Sequence, residues 1–140
     1  MRLFRLNIEK HLFAKRCLAF ERIEEDMEKR ASGDRDILFE VHSIICVKVR
    51  ITERYWRYVV EIKHPESFSD VEEAEEKAKN TLRNPEIVVK ERIEPSVHLY
   101  YKRFARYFIC VVAKHLDEKG YIITSYKTDR VKRGEVVWRR

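Results

Sequence analysis

"YFICVVAKHLDEKGYIITSYK", residues 107–127, decides the fold. Its first run, Tyr107–Val112, is apolar at odd and even positions alike, which suits a strand covered on both sides of a sheet. Asp117–Gly120 reads as a tight turn, with Gly120 supplying the conformational freedom. Tyr121, Ile122 and Ile123 then resume an extended, core-seeking pattern. The stretch is therefore a hairpin whose first strand is central. Its second strand changes character at Thr124, where hydroxyls and charges replace the apolar residues. That end either runs out to the surface or forms the wall of a site.

Working outward, "VHLYYK" (97–102) precedes the hairpin across a short "RFA" turn, and "EIVVKERI" (86–93) precedes that across "EPS". "GEVVWR" (134–139) is a short final strand or tail. Before Pro85 the period is helical. Thr52 can cap a helix over "ERYWRYVVEIK", with Tyr55, Val59 and Ile62 on one stripe and Pro65 ending it. Asp70 caps "VEEAEEKAKNTL", with Glu73 in the capping-box position and acidic residues in the first turns. "DILFEVHSIICVKVRI" (36–51) reads as two strands bent near His42–Ser43. Phe13, Cys17, Phe20 and Met27 recur at helical spacing, so residues 9–31 read as an amphipathic helix stopped near Gly33. Helices followed by consecutive hairpins predict an α+β fold: N-terminal helices packed on a four- to five-stranded antiparallel sheet. A length of 140 residues predicts a single domain, with 1–35 as a helical N-terminal extension and 36–140 as its core.

Composition narrows the function classes. With 44% hydrophobic and 11% aromatic residues the chain can build a core, which excludes a disordered chain. Cys17, Cys46 and Cys110 are an odd, widely spaced set, read as three small buried hydrophobes in a reducing cytoplasm. No Cys or His pair has zinc-finger spacing, so neither a metal nor another cofactor is expected. The N-terminus lacks a signal peptide's apolar core, and "YFICVV" is far short of the ~20 residues that span a bilayer. A soluble, cytoplasmic protein without a membrane partner is the expectation.

Charge is unevenly spread. Residues 97–140 hold 11 Lys/Arg against 4 Asp/Glu, whereas residues 1–96 hold 19 against 20. The net +6 of the chain thus sits on its C-terminal third, as expected of a surface that binds a polyanion. Lys102, Arg103, Arg106, Lys114, Lys127, Arg130, Lys132 and Arg133 are the candidate phosphate contacts.

The succession "RYWRYVVEIKHPE", "LRNPEIV", "SVHLYYKR", "YFICVVAKH" and "GYIITSYKTDRVKRGEVVW" resembles a family of uncharacterised microbial and phage-associated proteins grouped with the barnase–EndoU–colicin–RelE-like nuclease fold. The resemblance covers about residues 50–138. It implies a RelE/barnase-like sheet, RNA as partner, cleavage without a metal, and a protein inhibitor or antitoxin as a further partner.

Such a ribonuclease needs a base for the 2′-OH, an acid for the leaving oxygen, and fixed donors or positive charge for the phosphate. His64, in "KHPE", titrates near ~6.5 and suits proton transfer; the alternative is a helix cap. Thr124 and Tyr126 are two apart in a strand and share a face. The turn lengths place Tyr101 on that face too, with Val111, Ala113 and Ile109 as neighbours. The catalytic candidates are therefore His64, Tyr101, Thr124 and Tyr126. The alternatives are that the tyrosines pack against the helices, and that the protein is a non-catalytic RNA-binding or regulatory module.

Overall fold

The computed structural model describes residues 36–140. Seven strands make one sheet: β1 (Ile37–His42), β2 (Lys48–Thr52), β3 (Ile87–Lys90), β4 (Val97–Phe104), β5 (Tyr107–Leu116), β6 (Lys119–Thr128) and β7 (Glu135–Arg139). Their order is β1-β2-β6-β5-β4-β3-β7. Every neighbouring pair is antiparallel except β2 and β6, which run parallel.

This corrects the expected architecture. A mixed seven-stranded sheet replaces the four- to five-stranded antiparallel one, and two short helical stretches lie between β2 and β3 rather than N-terminal to all strands. The expected 9–31 helix lies outside the described residues. The first hairpin, β1–β2, does not stand apart but extends the sheet beside β6, and β7 forms the opposite edge on β3. Local pattern marks a strand but not its distant partner, which is why both joins escaped the sequence.

Gly120 shows how the β2–β6 join constrains the chain. The turn is the two residues Asp117 and Glu118, since Leu116 pairs with Lys119, and Asp117 takes the left-handed conformation. Gly120 therefore lies inside β6, not in the turn. A Cβ there would stand 2.5 Å from the Lys114 carbonyl oxygen and 3.3 Å from Val47 Cγ1. Glycine is required because the β5 backbone and the Val47 side chain both close on this position.

Helix α1 (Glu53–Arg57) continues as a π-helical stretch, Tyr58–Lys63, and α2 spans Val71–Arg83. Thr52 Oγ1 accepts from Tyr55 N at 3.2 Å, and Asp70 Oδ1 accepts from Glu73 N at 2.6 Å, so both starts are capped by side chains. On α2, Ala74, Ala78 and Leu82 recur every fourth residue and are wholly buried. The two alanines let the helix lie close to the sheet, and burying Leu82 contributes about 1.5–3 kcal/mol. On the first helix the buried stripe is Trp56, Val59 and Val60, while Ile62 is 69% exposed. The expected stripe through Ile62 is thus corrected: i→i+5 bonding in the π-helical part turns Ile62 away from the core. Both helices cover one face, closing over Val49, Ile51, Val88, Tyr100, Ile109 and Val111.

The other face carries a second cluster: Val89, Val97, Leu99, Tyr101 and Cys110. The connection from β6 to β7 runs over this face. Val131 packs on the cluster, and Lys132 N donates to Tyr101 Oη at 3.0 Å. No described helix is long and apolar enough to cross a membrane.

Candidate nucleic-acid interface

A bulge in β6 sets which side chains share a face. Val112 pairs with Thr124 but Ala113 pairs with Ile122, leaving Ile123 as the extra residue. Ile122 consequently joins the helix-covered core, whereas Thr124 and Tyr126 turn to the opposite face. The carbonyl of Ile123 accepts from Tyr55 Oη at 2.6 Å, which ties the bulge to α1.

On that opposite face Tyr101, Cys110 and Tyr126 form a row across three strands. The structure thus brings Tyr101, Thr124 and Tyr126 together. Their neighbours on β5 are Cys110 and Val112, and this corrects the expected Ile109, Val111 and Ala113, which face the helices. The β4–β5 turn holds only Ala105 and Arg106, one residue fewer than expected, and a one-residue change in a turn shifts the whole register.

The two phenols and the thiol lie close enough to influence one another's ionisation. Burial, together with the neighbouring thiol, holds both Tyr101 and Tyr126 well above the ordinary tyrosine range. Burial pushes the Cys110 thiol up to about 12. All three groups are therefore neutral donors at physiological pH. Thr124 Oγ1 is buried beside them without a hydrogen-bond partner.

His64 reaches the row from the side. It closes the π-helical stretch through its backbone, donating N–H to the Val59 carbonyl at 3.0 Å. Its imidazole is left to lie over Tyr126, ring centroids 5.2 Å apart and planes 38° apart. The following loop is pinned to the open edge of β6, where Lys127 N donates to Ser67 Oγ at 3.1 Å. Partial burial, then the charge of Lys63, lowers the His64 pKa, so the ring is neutral at pH 7. It meets the Tyr126 ring at a tilt, beside the Tyr101 and Cys110 side chains.

The eight basic candidates divide by what they touch. Lys114 pairs with Glu94 at 3.4 Å, and Arg130 with Asp129 at 3.4 Å. Lys102 Nζ donates to the Asn84 carbonyl at 2.9 Å. Arg103 lies over the Phe108 ring at 5.5 Å and donates Nε–H to the Ala105 carbonyl. Arg106, Lys127, Lys132 and Arg133 are exposed and make no ion pair among the described residues. Three of those four lie within Lys127–Arg133, next to Tyr126.

Two further features went unread in the sequence. Cys110 belongs to the phenol row, but its only signal was burial. Phe104 and Tyr107 flank the β4–β5 turn with Lys77, Lys102 and Lys127 over their rings. The cysteine expectation is corrected in part: Cys110 is buried, but Cys46 is exposed, in the β1–β2 turn with a φ of 64°. Among the described residues no three His, Cys, Asp or Glu side chains gather as a metal site would require.

Comparisons with protein-family models, curated proteins and solved structures gave no match. The functional reading rests on the residues themselves.

Proposed function

We propose that this protein binds single-stranded RNA along the edge formed by the end of β6, the β4–β5 turn and the connection to β7. The observation that carries this is the set of exposed charges at Arg106, Lys127, Lys132 and Arg133 that make no ion pair among the described residues. An excess of like charge costs stability in the free protein, and a polyanion offsets that cost. Four neutralised phosphates would give a log–log dependence of affinity on salt with a slope near roughly −3 for a single strand. Filter binding over a salt series tests this. A flat response would remove nucleic acid from consideration, and Lys132→Glu with Arg133→Glu should lower both affinity and slope.

A second reading is favoured by one contact. A neutral His64 beside Tyr126 supplies a base next to neutral phenols, as metal-free RNA cleavage through the 2′-OH requires. In that reaction His64 takes the 2′-OH proton, the oxygen attacks phosphorus, and the Tyr126 hydroxyl protonates the departing oxygen. Tyr126 must then turn its hydroxyl from its half-buried place beside Tyr101 and Cys110 to the substrate. Binding needs no such rearrangement, so it is the reading the geometry supports better.

A further inference from the structure

At the β4–β5 turn three lysines converge on two aromatic rings. Phe104 and Tyr107 lie with centroids 6.5 Å apart and planes 22° from parallel. Lys127 Nζ stands 4.6 Å from the Tyr107 centroid, and Lys102 Nζ stands 6.0 Å from that of Phe104. Lys77 Nζ lies over both rings, at 5.6 Å and 5.2 Å, and donates to Tyr107 Oη at 2.6 Å.

Their charges are not equally satisfied. Lys77 is neutralised by Glu73 at 2.6 Å. Lys102 and Lys127 have no carboxylate partner among the described residues. Both pair in register with Ile109, so they stand on one face, two strand spacings or about 10 Å apart at Cα. Lysine stems of that length reach inward over the rings or outward to solvent. Both rings are only half buried, and an open cleft between α2 and the turn, lined by Lys77, Asn80 and Phe104, leaves room beside them.

We infer that Phe104 and Tyr107 form a stacking subsite for an unpaired RNA base, with Lys102 and Lys127 taking the phosphates on either side of it. This rests on the RNA-binding reading above and adds where the base goes. In the free protein each ammonium occupies a ring face. An arriving base takes that face, and the ammonium moves to the adjacent phosphate, exchanging a cation–π contact, and for Lys102 its bond to the Asn84 carbonyl as well, for a charge-assisted hydrogen bond. Stacking is tolerant of base identity, so little sequence preference is expected here. Lys77, held by Glu73 and Tyr107, stays in place and fixes the ring.

The test uses a ten-nucleotide oligoribonucleotide carrying 2-aminopurine, whose fluorescence falls when it stacks. Titration with the full chain should quench it several-fold. Phe104→Leu with Tyr107→Leu should abolish the quench and weaken binding about tenfold or more, with a thermal melt confirming folded protein. Lys132→Glu with Arg133→Glu should weaken binding but keep the quench at saturation. Salt-sensitive RNA binding without quenching by wild-type protein would overturn the stacking subsite and leave the phosphate reading intact. Absence of any RNA binding would overturn both. Full displacement of the RNA by poly-glutamate at equal charge concentration would overturn the subsite too, since a peptide chain cannot substitute for a stacked base.

Discussion

The imidazoles of His98 and His115 lie face to face inside the protein, ring centroids 3.8 Å apart and planes 8° from parallel. Both residues are fully buried on the helix-covered side of the sheet. Tyr100 Oη sits 2.9 Å from His115 Nε2 and 2.9 Å from Ser43 Oγ, linking the pair to the β1–β2 turn. Burial lowers the His98 pKa to about 3, with Lys90 adding in the same direction, and burial followed by the His98 charge lowers that of His115 well below its usual value. Both rings are neutral in the fold. Their folded pKa values lie below the unfolded value near ~6.5, so their contribution is present above about pH 6.5 and lost as pH falls towards 3. Each histidine therefore withdraws stability progressively as the pH falls below the unfolded value. Denaturant melts between pH 7.5 and 5 should show the loss, and His98→Phe should reduce the slope. Stability constant across that range would contradict the assignment.

The sequence exposed the parts of this fold that depend on neighbours and hid those that depend on distance. The β4–β5–β6 meander was legible because alternation and short turns are local, and Thr52 and Asp70 were legible as caps for the same reason. The parallel β2–β6 pairing was not, because nothing in "KVRIT" names Lys119–Tyr121 as its partner. The phenol face was reached from the i, i+2 spacing of Thr124 and Tyr126, yet its β5 neighbours were misread. Neither the two-residue turn nor the bulge at Ile123 carries a glycine to announce it. Contacts such as His64 on Tyr126 depend on where a loop lands, and no periodicity encodes that.

Gly120→Ala tests how closely β6 approaches β5, with Val47 of the β1–β2 connection packed beside it. The added methyl would meet the Lys114 carbonyl oxygen at 2.5 Å, and a backbone atom in mid-sheet cannot swing aside as a side chain would. The expected loss is about 1–3 kcal/mol in a denaturant melt. Val47, 3.3 Å from the same methyl, should loosen as well. Faster amide exchange across β2 than across β4 is therefore expected, whereas wild-type stability in the variant would mean that the strands do not approach so closely.

Cysteine chemistry offers a check on the phenol row. With its pKa near 12 and its side chain buried, Cys110 holds a thiolate fraction of about one in ten thousand at pH 8. Iodoacetamide should modify exposed Cys46 and spare Cys110 in the native protein, then modify both in denaturant, as peptide mass mapping would show. Prompt native labelling of Cys110 would mean that the face under the β6–β7 connection is open.

The final prediction separates a binder from an enzyme. His64→Ala removes the ring tilted against Tyr126, and Tyr126→Phe removes the hydroxyl beside Tyr101 and Cys110. Neither takes a formal charge from the basic edge at neutral pH, so neither should change RNA affinity appreciably. If the protein cleaves RNA, each should slow cleavage by about a hundredfold or more, the typical worth of a general acid or base. Products should then end in 2′,3′-cyclic or 3′-phosphate, and an RNA bearing 2′-hydrogen should resist. Lys127→Ala should act in the opposite sense, weakening binding while sparing cleavage at saturation. Tyr126→Phe also removes a polar group from beside buried Tyr101 and Cys110 and so alters the packing of that face. Melts of each variant must therefore accompany the rates, since a fall in folded fraction imitates lost chemistry. Should wild-type protein bind RNA yet leave it uncut between pH 5 and 9, His64 acts as a helix terminus packed on a tyrosine, and the RNA-binding reading stands alone.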